Sequence, residues 1–240
     1  KLDNPYETFK DFYTKDYQRF VEYNIQDVEL VDRLEDKMKL IELCLTMAYD
    51  YKVNYTDVYS QVRCWDTLIY NHLKSKHIVI PPREDHDKAA QFEGAYVKDP
   101  DLGLHKWIVS FDLNSLYPHL IMQYNISPET YVGVETKGMS VENMLNQQLN
   151  LEWAKNKDVA ISANGAMFRR DKQGFLPELM QKMYGDRVIY KKKMIEAKKE
   201  FQKTKDPIYK NEIARCHNIQ MAKKISLNSA YGAIGNQYFR

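Results

Sequence analysis

Cysteine is scarce in this sequence, and so are glycine, proline and long apolar runs. The three cysteines, Cys44, Cys64 and Cys216, lie far apart and form neither a CxxC pair nor a Cys/His cluster. That spacing excludes a zinc site and a disulfide framework together, and it fits a reduced, intracellular setting. Nine glycines and eight prolines in 240 residues leave collagen-like, mucin-like and low-complexity readings without support. No run approaches the roughly 20 apolar residues that a bilayer demands. The opening KLDNPYETF also lacks the apolar centre of a signal peptide, so the expectation is a soluble, untargeted protein. The chain begins on Lys1 rather than Met and ends at Arg240 without a tail, and it reads as an excerpt of something longer.

Against those absences stand 44% hydrophobic residues, 18 Tyr and 9 Phe. They are enough for one large domain or parts of several, with aromatic surfaces suited to packing or to base stacking. A net charge of +2 excludes a uniformly basic nucleic-acid coat, but charge is unevenly placed. From Glu178 to Lys205 nine Lys/Arg face four Asp/Glu, an excess able to hold phosphate.

Periodicity organises the rest. Val28, Val31, Leu34, Met38 and Ile41 recur at spacings of three and four, which predicts an amphipathic helix over 27–49. Residues 55–73 read as helix again, closed by the two prolines of IVIPP, and PPREDHDK is a polar linker. WIVSF, residues 107–111, is rich in strand formers and runs straight into Asp112, placing that carboxylate at the end of a predicted strand. LNSLYP then turns into a helix. Short strands are expected at 131–134 and within 160–168, around Asn164 and Gly165, with a polar helix over 141–155 between them. Helix formers dominate from Pro177 to about Lys203, and a second long helix follows Asp206 and Pro207 until Gly232 and Gly235 stop it at Tyr231. Two helices joined so tightly make an antiparallel hairpin, and the fold class is α+β.

Three constellations carry chemistry. Asp112 can be a helix cap or a surface charge; equally, a carboxylate followed at once by a turn with free N–H groups can hold a divalent cation and anionic oxygens together. Lys224, Asn228 and Tyr231, at i, i+4 and i+7, line one helix face, either as a solvated lysine beside a partly buried tyrosine or as a ligand-facing stripe. Arg187 and Lys191 share a face of the preceding helix, so an antiparallel pair can aim three cations at one triphosphate. Tyr23 and Asp27 form the third set, with Asp27 read alternatively as favouring a helix N-terminus through the dipole.

SFDLNSLYPHLIMQYNISPET (residues 110–130) resembles the palm motif of family B DNA polymerases, and KKISLNSAYGAIGN (223–236) resembles their fingers motif K-x-x-x-N-S-x-Y-G, in the family's order. The likeness is strongest to the replicative enzymes of T-even-type bacteriophages and their marine relatives. It extends over essentially the whole chain: YNIQD (23–27) looks like the third exonuclease motif, and FEGAYVKDP (92–100) like the segment joining exonuclease to palm. The resemblance implies the end of a 3′–5′ exonuclease domain at 1–39, a helical connector at 40–83, the first part of the palm at 84–173, fingers at 174–236 and the start of a second palm segment at 237–240.

Residue by residue, it implies that Asp112 and the Leu113 carbonyl ligate two catalytic Mg²⁺ ions and that the N–H groups of Ser115 and Leu116 bind the incoming deoxynucleoside triphosphate. Tyr117 would be a steric gate under the sugar. Arg187, Lys191 and Lys224 would contact the triphosphate, Lys224 serving catalysis as well, with Asn228 in support and Tyr231 packing at the new base pair. Tyr23 would position the exonuclease's attacking water, Asp27 would ligate its metal, and Gly94 would lie close to the template strand of primer-template DNA. A sliding clamp and other replisome proteins would bind outside this chain, in the cytoplasm of a bacterial host. The family's second palm carboxylate sits in a later D-T-D motif that the sequence does not reach, which implies an inactive piece. Two departures stand out: the stretch between Arg187 and Lys224 is shorter than in the phage enzymes, and a small Ala230 follows Asn228 and Ser229. A non-enzymatic basic helical module gripping backbone phosphates, or a nuclease built around Asp27, are the rival readings.

Overall fold

The computed structural model describes residues 4–82, 97–135 and 137–239. Gly94 and the first part of FEGAYVKDP lie outside the described residues. Helices α1 (Phe9–Lys15), α2 (Tyr17–Met38), α3 (Leu40–Tyr51) and α4 (Gln61–Ser75) come first, with a 3₁₀ turn at Tyr55–Tyr59. Then α5 (Leu116–Tyr124) leads through a second 3₁₀ turn, Pro128–Thr130, into β1 (Tyr131–Val134). The short helices α6 (Val141–Leu145) and α7 (Glu152–Asn156), strands β2 (Val159–Ile161) and β3 (Ala166–Arg169), and the long helices α8 (Phe175–Thr204) and α9 (Pro207–Ile234) complete the order.

The single helix expected over 27–49 is two helices, and the first begins earlier. Lys39 adopts a left-handed conformation between α2 and α3, and the Glu35 carboxylate accepts hydrogen bonds from Leu40 N and Ile41 N across the break. An acid supplied to a bare helix N-terminus makes a sharp restart inexpensive without Gly or Pro. Asp27 therefore sits inside α2, so the helix-N-terminus reading of that residue is set aside.

Residues 107–111 form no strand. Trp107 and Phe111 are 98% and 91% exposed, and no described segment pairs with them. A strand is a property of two segments, and local composition supplies only one. Asp112 thus follows an unpaired segment, not a strand, and Trp107 at the head of that segment is left-handed at φ 61°.

The observed sheet is antiparallel in the order β1-β3-β2. The hairpin of β2 and β3 turns at Ser162 and Gly165, where Gly165 N donates to Ser162 O at 2.8 Å. Gly165 has φ +86°, and a Cβ there would meet Glu135 O at 1.9 Å, so only glycine fits. The polar helix expected over 141–155 breaks into α6 and α7, with Gln147 left-handed between them.

The α8–α9 hairpin forms as expected, with Asp206 capping α9 and Pro207 at its first position. Gly232 does not stop α9, which runs on to Ile234 and is capped by Gly235. One core joins the hairpin base to α4 and α5: Trp65, Ile69 and Leu73 of α4, Ile121 of α5, Leu179, Met180 and Met183 of α8, and Leu227, Ala230 and Ala233 of α9. Each large side chain taken from water here contributes about 1.5–3 kcal/mol. A second core packs Met47, Ala48 and Tyr51 of α3 with Val58, Cys64 and Ala222.

The start of α8 is held by a polar node. Asn125, left-handed at φ 56°, donates from Nδ2 to Arg169 O (2.6 Å) and Lys172 O (2.8 Å), and its Oδ1 accepts from Gly174 N (2.9 Å). Glu129 Oε1 accepts from Phe175 N at 2.6 Å, giving the positive end of α8 a carboxylate. α5 and the base of the hairpin are thereby locked in one orientation.

Candidate nucleotide-binding site

The turn entering α5 is built around Ser115, which is left-handed at φ 53° and serves as N-cap without a side-chain cap bond. A serine in that conformation is strained by about 1 kcal/mol and needs outside support. His119, one turn on, supplies it: its Nδ1 lies 2.9 Å from Ser115 O, and because a carbonyl only accepts, that nitrogen carries the proton. The imidazole in turn packs edge-on against Tyr184 of α8, with ring centroids 4.7 Å apart. Sequence reasoning missed this support, although the i, i+4 spacing of Ser115 and His119 was its local signal.

Two contacts tie this turn to the hairpin. Arg187 donates from a guanidinium nitrogen to Ser115 Oγ at 3.1 Å, across 72 residues of sequence. Tyr117 stacks on Tyr231 of α9, with centroids 4.6 Å apart and planes 9° from parallel. The structure thus brings together Ser115, Tyr117, Arg187 and Tyr231 from α5, α8 and α9. Arg187 is half-buried, and its Nε–H has no hydrogen-bond partner among the described residues, an unsatisfied donor that an anionic ligand would complete. Lys191 is exposed one turn further along α8; Lys224 and Asn228 are exposed on α9, one turn apart and leading to Tyr231. The neighbouring Lys223 points elsewhere, paired with Asp50 at 2.7 Å and Asp186 at 3.7 Å, so adjacent lysines serve different faces of the helix.

Asp112 and Leu113 are exposed at the entrance to the turn. Among the described residues no group of three or more His, Cys, Asp or Glu side chains is arranged to hold a metal ion. Asp112 with one carbonyl is an incomplete donor set for two Mg²⁺ ions, each of which calls for octahedral oxygen ligands. Tyr23 and Asp27 lie apart from these residues in chain and in packing, on α2, which rests on α1. Tyr23 is buried and meets Phe9 and Phe12 edge-on at 5.9 and 5.8 Å. Asp27 follows one turn later, half-buried.

Below the site, His72 and Lys76 of α4 flank Glu178 of α8. Burial holds the His72 imidazole below its ordinary value of 6.5 despite the nearby carboxylate, and the hydrogen bond from Lys76 holds Glu178 below its ordinary 4.5. Among the described residues no helix is long and apolar enough to cross a membrane.

A sequence model of DNA polymerase family B matches residues 53–239. The DNA-directed DNA polymerase of Escherichia phage RB69 is 29% identical over 282 aligned residues, covering all of this chain and 30% of the phage protein. That of Enterobacteria phage T4 is 31% identical over 266 residues, covering 93% of this chain and 29% of the phage protein. DNA polymerase 1 of Pyrococcus abyssi is 37% identical over 144 residues, 60% of this chain and 15% of the archaeal one. The chain thus spans about a third or less of the length of these curated relatives. Among solved structures, the family B DNA polymerase of the archaeon Pyrobaculum calidifontis superposes with a TM-score of 0.69 over the whole chain and 29% of its own, at 21% identity, which speaks to the fold.

Proposed function

The chain belongs to DNA polymerase family B, and from that premise we propose that it forms the nucleotide-binding half of the active site of a DNA-directed DNA polymerase. The observation that carries this reading is the junction of α5 with the hairpin, where Arg187 bonds Ser115 and Tyr117 stacks on Tyr231. In this reading residues 1–39 end the 3′–5′ exonuclease domain, 40–83 connect it to the palm, 84–173 open the palm, 174–236 are the fingers, and 237–240 begin the next palm segment.

The N–H groups of Ser115 and Leu116, at the positive end of α5, hold the triphosphate of an incoming deoxynucleotide. Arg187, Lys191 and Lys224 neutralise its charge, Arg187 through a fork that grips two oxygens at once, with Asn228 in support. Tyr117 fills the space a ribose 2′-hydroxyl would need, and Tyr231 lies against the forming base pair. The primer 3′-hydroxyl attacks the α-phosphorus in line, the bond to the β-phosphate breaks, and pyrophosphate leaves while the fingers cations hold its charge. Mg²⁺ would stabilise the attacking and leaving oxygens; of its ligands this chain offers Asp112 and the Leu113 carbonyl, so by itself it is expected not to extend a primer. Tyr23 and Asp27 belong to the exonuclease site of the whole protein, and Gly94 to the template path. A phage replicative enzyme would work in the cytoplasm of a bacterial host, with its clamp and replisome contacts outside this chain.

Lys224→Ala in the full-length enzyme tests the reading. Loss of one charge-assisted phosphate contact should raise the KM for deoxynucleotide on the order of 10- to 100-fold, with primer-template affinity changed by less than about threefold. Equal losses in both would favour a helical module that grips DNA phosphates and would sink the nucleotide assignment.

A further inference from the structure

Helix α9 has two opposite faces. At about 100° per residue, Lys224, Asn228 and Tyr231 fall within an arc of roughly 60°, and Ser226 lies roughly 140–160° away from each of them. Ser226 is 1% exposed and faces the connector, where Tyr51 of α3 and Trp65 of α4 are both fully buried. The Tyr51 hydroxyl hydrogen-bonds Ser226 Oγ, and both hydroxyls lie within reach of Ala222 O, at 3.5 and 2.8 Å. Trp65 Nε1 donates to Ser226 O and to Ser229 Oγ, each at 3.2 Å, and Ser229 Oγ donates to Gln61 Oε1 at 2.7 Å. These bonds cross 161 to 175 residues of sequence.

The apolar contacts of this seam are made largely by small side chains, Ala222, Ala230 and Ala233 beside Leu227. Such a surface opposes rotation of a helix about its own axis only weakly, because apolar contact is non-directional. Hydrogen bonds are directional and weaken steeply when bent, so a turn of α9 breaks them. The same rotation would swing Lys224 and Asn228 off the nucleotide.

We infer that Tyr51 and Trp65 are positioning residues for nucleotide binding: through Ser226 and Ser229 they set the rotation of α9, and with it the aim of Lys224, Asn228 and Tyr231. This inference rests on the nucleotide-site reading above. Burial pushes the Tyr51 phenol above its ordinary range, so it keeps its proton and stays a neutral hydrogen-bonding group. The Lys223 pairs to Asp50 and Asp186 hold the same helix from α3 and α8, one residue from the nucleotide face.

The test uses the full-length enzyme with Tyr51→Phe, Ser226→Ala, the double variant and Lys224→Ala as reference, measuring KM, kcat, primer-template Kd and melting temperature. Loss of one directional buried bond should raise the deoxynucleotide KM about three- to tenfold, with kcat and DNA Kd within about twofold. The double variant should do no more than either single, because both remove the same bond. Trp65→Phe, which keeps a ring and deletes the second donor, should act in the same direction. If Lys224→Ala raises the KM and these variants do not, the positioning role is wrong and the nucleotide site stands. Multiplicative effects in the double variant, or a KM that moves together with DNA affinity, would reduce the seam to ordinary packing and overturn the inference. If Lys224→Ala itself leaves the KM unchanged, the site assignment fails and takes this inference with it.

Discussion

Replacing Asn125 isolates the node on which the base of the hairpin depends. Its side chain makes three hydrogen bonds, to Arg169 O, Lys172 O and Gly174 N, and the residue is 9% exposed. At about 1 kcal/mol net for each buried bond, Asn125→Ala loses about 3 kcal/mol. Its backbone is left-handed, which costs alanine about 1 kcal/mol more. Glycine loses the same bonds without that strain. The expected losses are therefore about 4 kcal/mol for Asn125→Ala and about 3 kcal/mol for Asn125→Gly, against a typical total of roughly 5–15 kcal/mol. In a chain of this size that is a fall in Tm of about 8–16 °C for alanine. Urea unfolding followed by circular dichroism measures both variants. Losses under about 1 kcal/mol, or alanine no worse than glycine, would contradict the node and its conformational strain respectively.

Two further outcomes follow from the same structure. Tyr117→Ala should increase ribonucleotide incorporation by the full-length enzyme, by about tenfold or more, in single-nucleotide extension assays; unchanged sugar discrimination would remove the gate. The depressed His72 and Glu178 fix the sign of an acid response: both ionisations favour the folded state at higher pH, so stability is present above 6.5 for His72 and above 4.5 for Glu178 and falls on acidification through their folded values. His72→Gln should flatten the first part of that decline in a series of urea midpoints, and an unaltered profile would mean that the imidazole is not the group responsible.

Local signals carried much of the architecture. Residues 131–134 form β1 as read, and Asp206 with Pro207 marks the start of α9 as an N-cap and first helical residue should. Two of the failures share a cause, since they were decided by a distant or non-periodic partner. Lys39 breaks a helix with no Gly or Pro because Glu35 caps the restart, and no periodicity encodes that carboxylate. Residues 107–111 have strand composition and lack a partner among the described residues. Gly232 stays inside α9 because a single glycine costs a packed helix only about 1 kcal/mol. In the site, motif spacing singled out Asp112, Arg187, Lys224 and Tyr231, the resemblance added Tyr117, and the structure brings Tyr117, Arg187 and Tyr231 to one junction. The Arg187–Ser115 bond and the seam of Tyr51 and Trp65 were not, because they join segments between which sequence shows no regular spacing; the His119 support left only the i, i+4 spacing from Ser115 as its trace.

The two long helices differ along their length: burial is concentrated in the first turns of α8 and the second half of α9, and toward the tip it thins to Ala197 and Cys216. From Arg187 to the end of α8 the helix runs about 26 Å, so a 10° tilt where Arg187 meets Ser115 displaces the far end by about 4–5 Å. The hairpin is mechanically a lever with a short input arm at the site. A small rotation at that pivot is thereby magnified into a displacement of several ångströms at the tip.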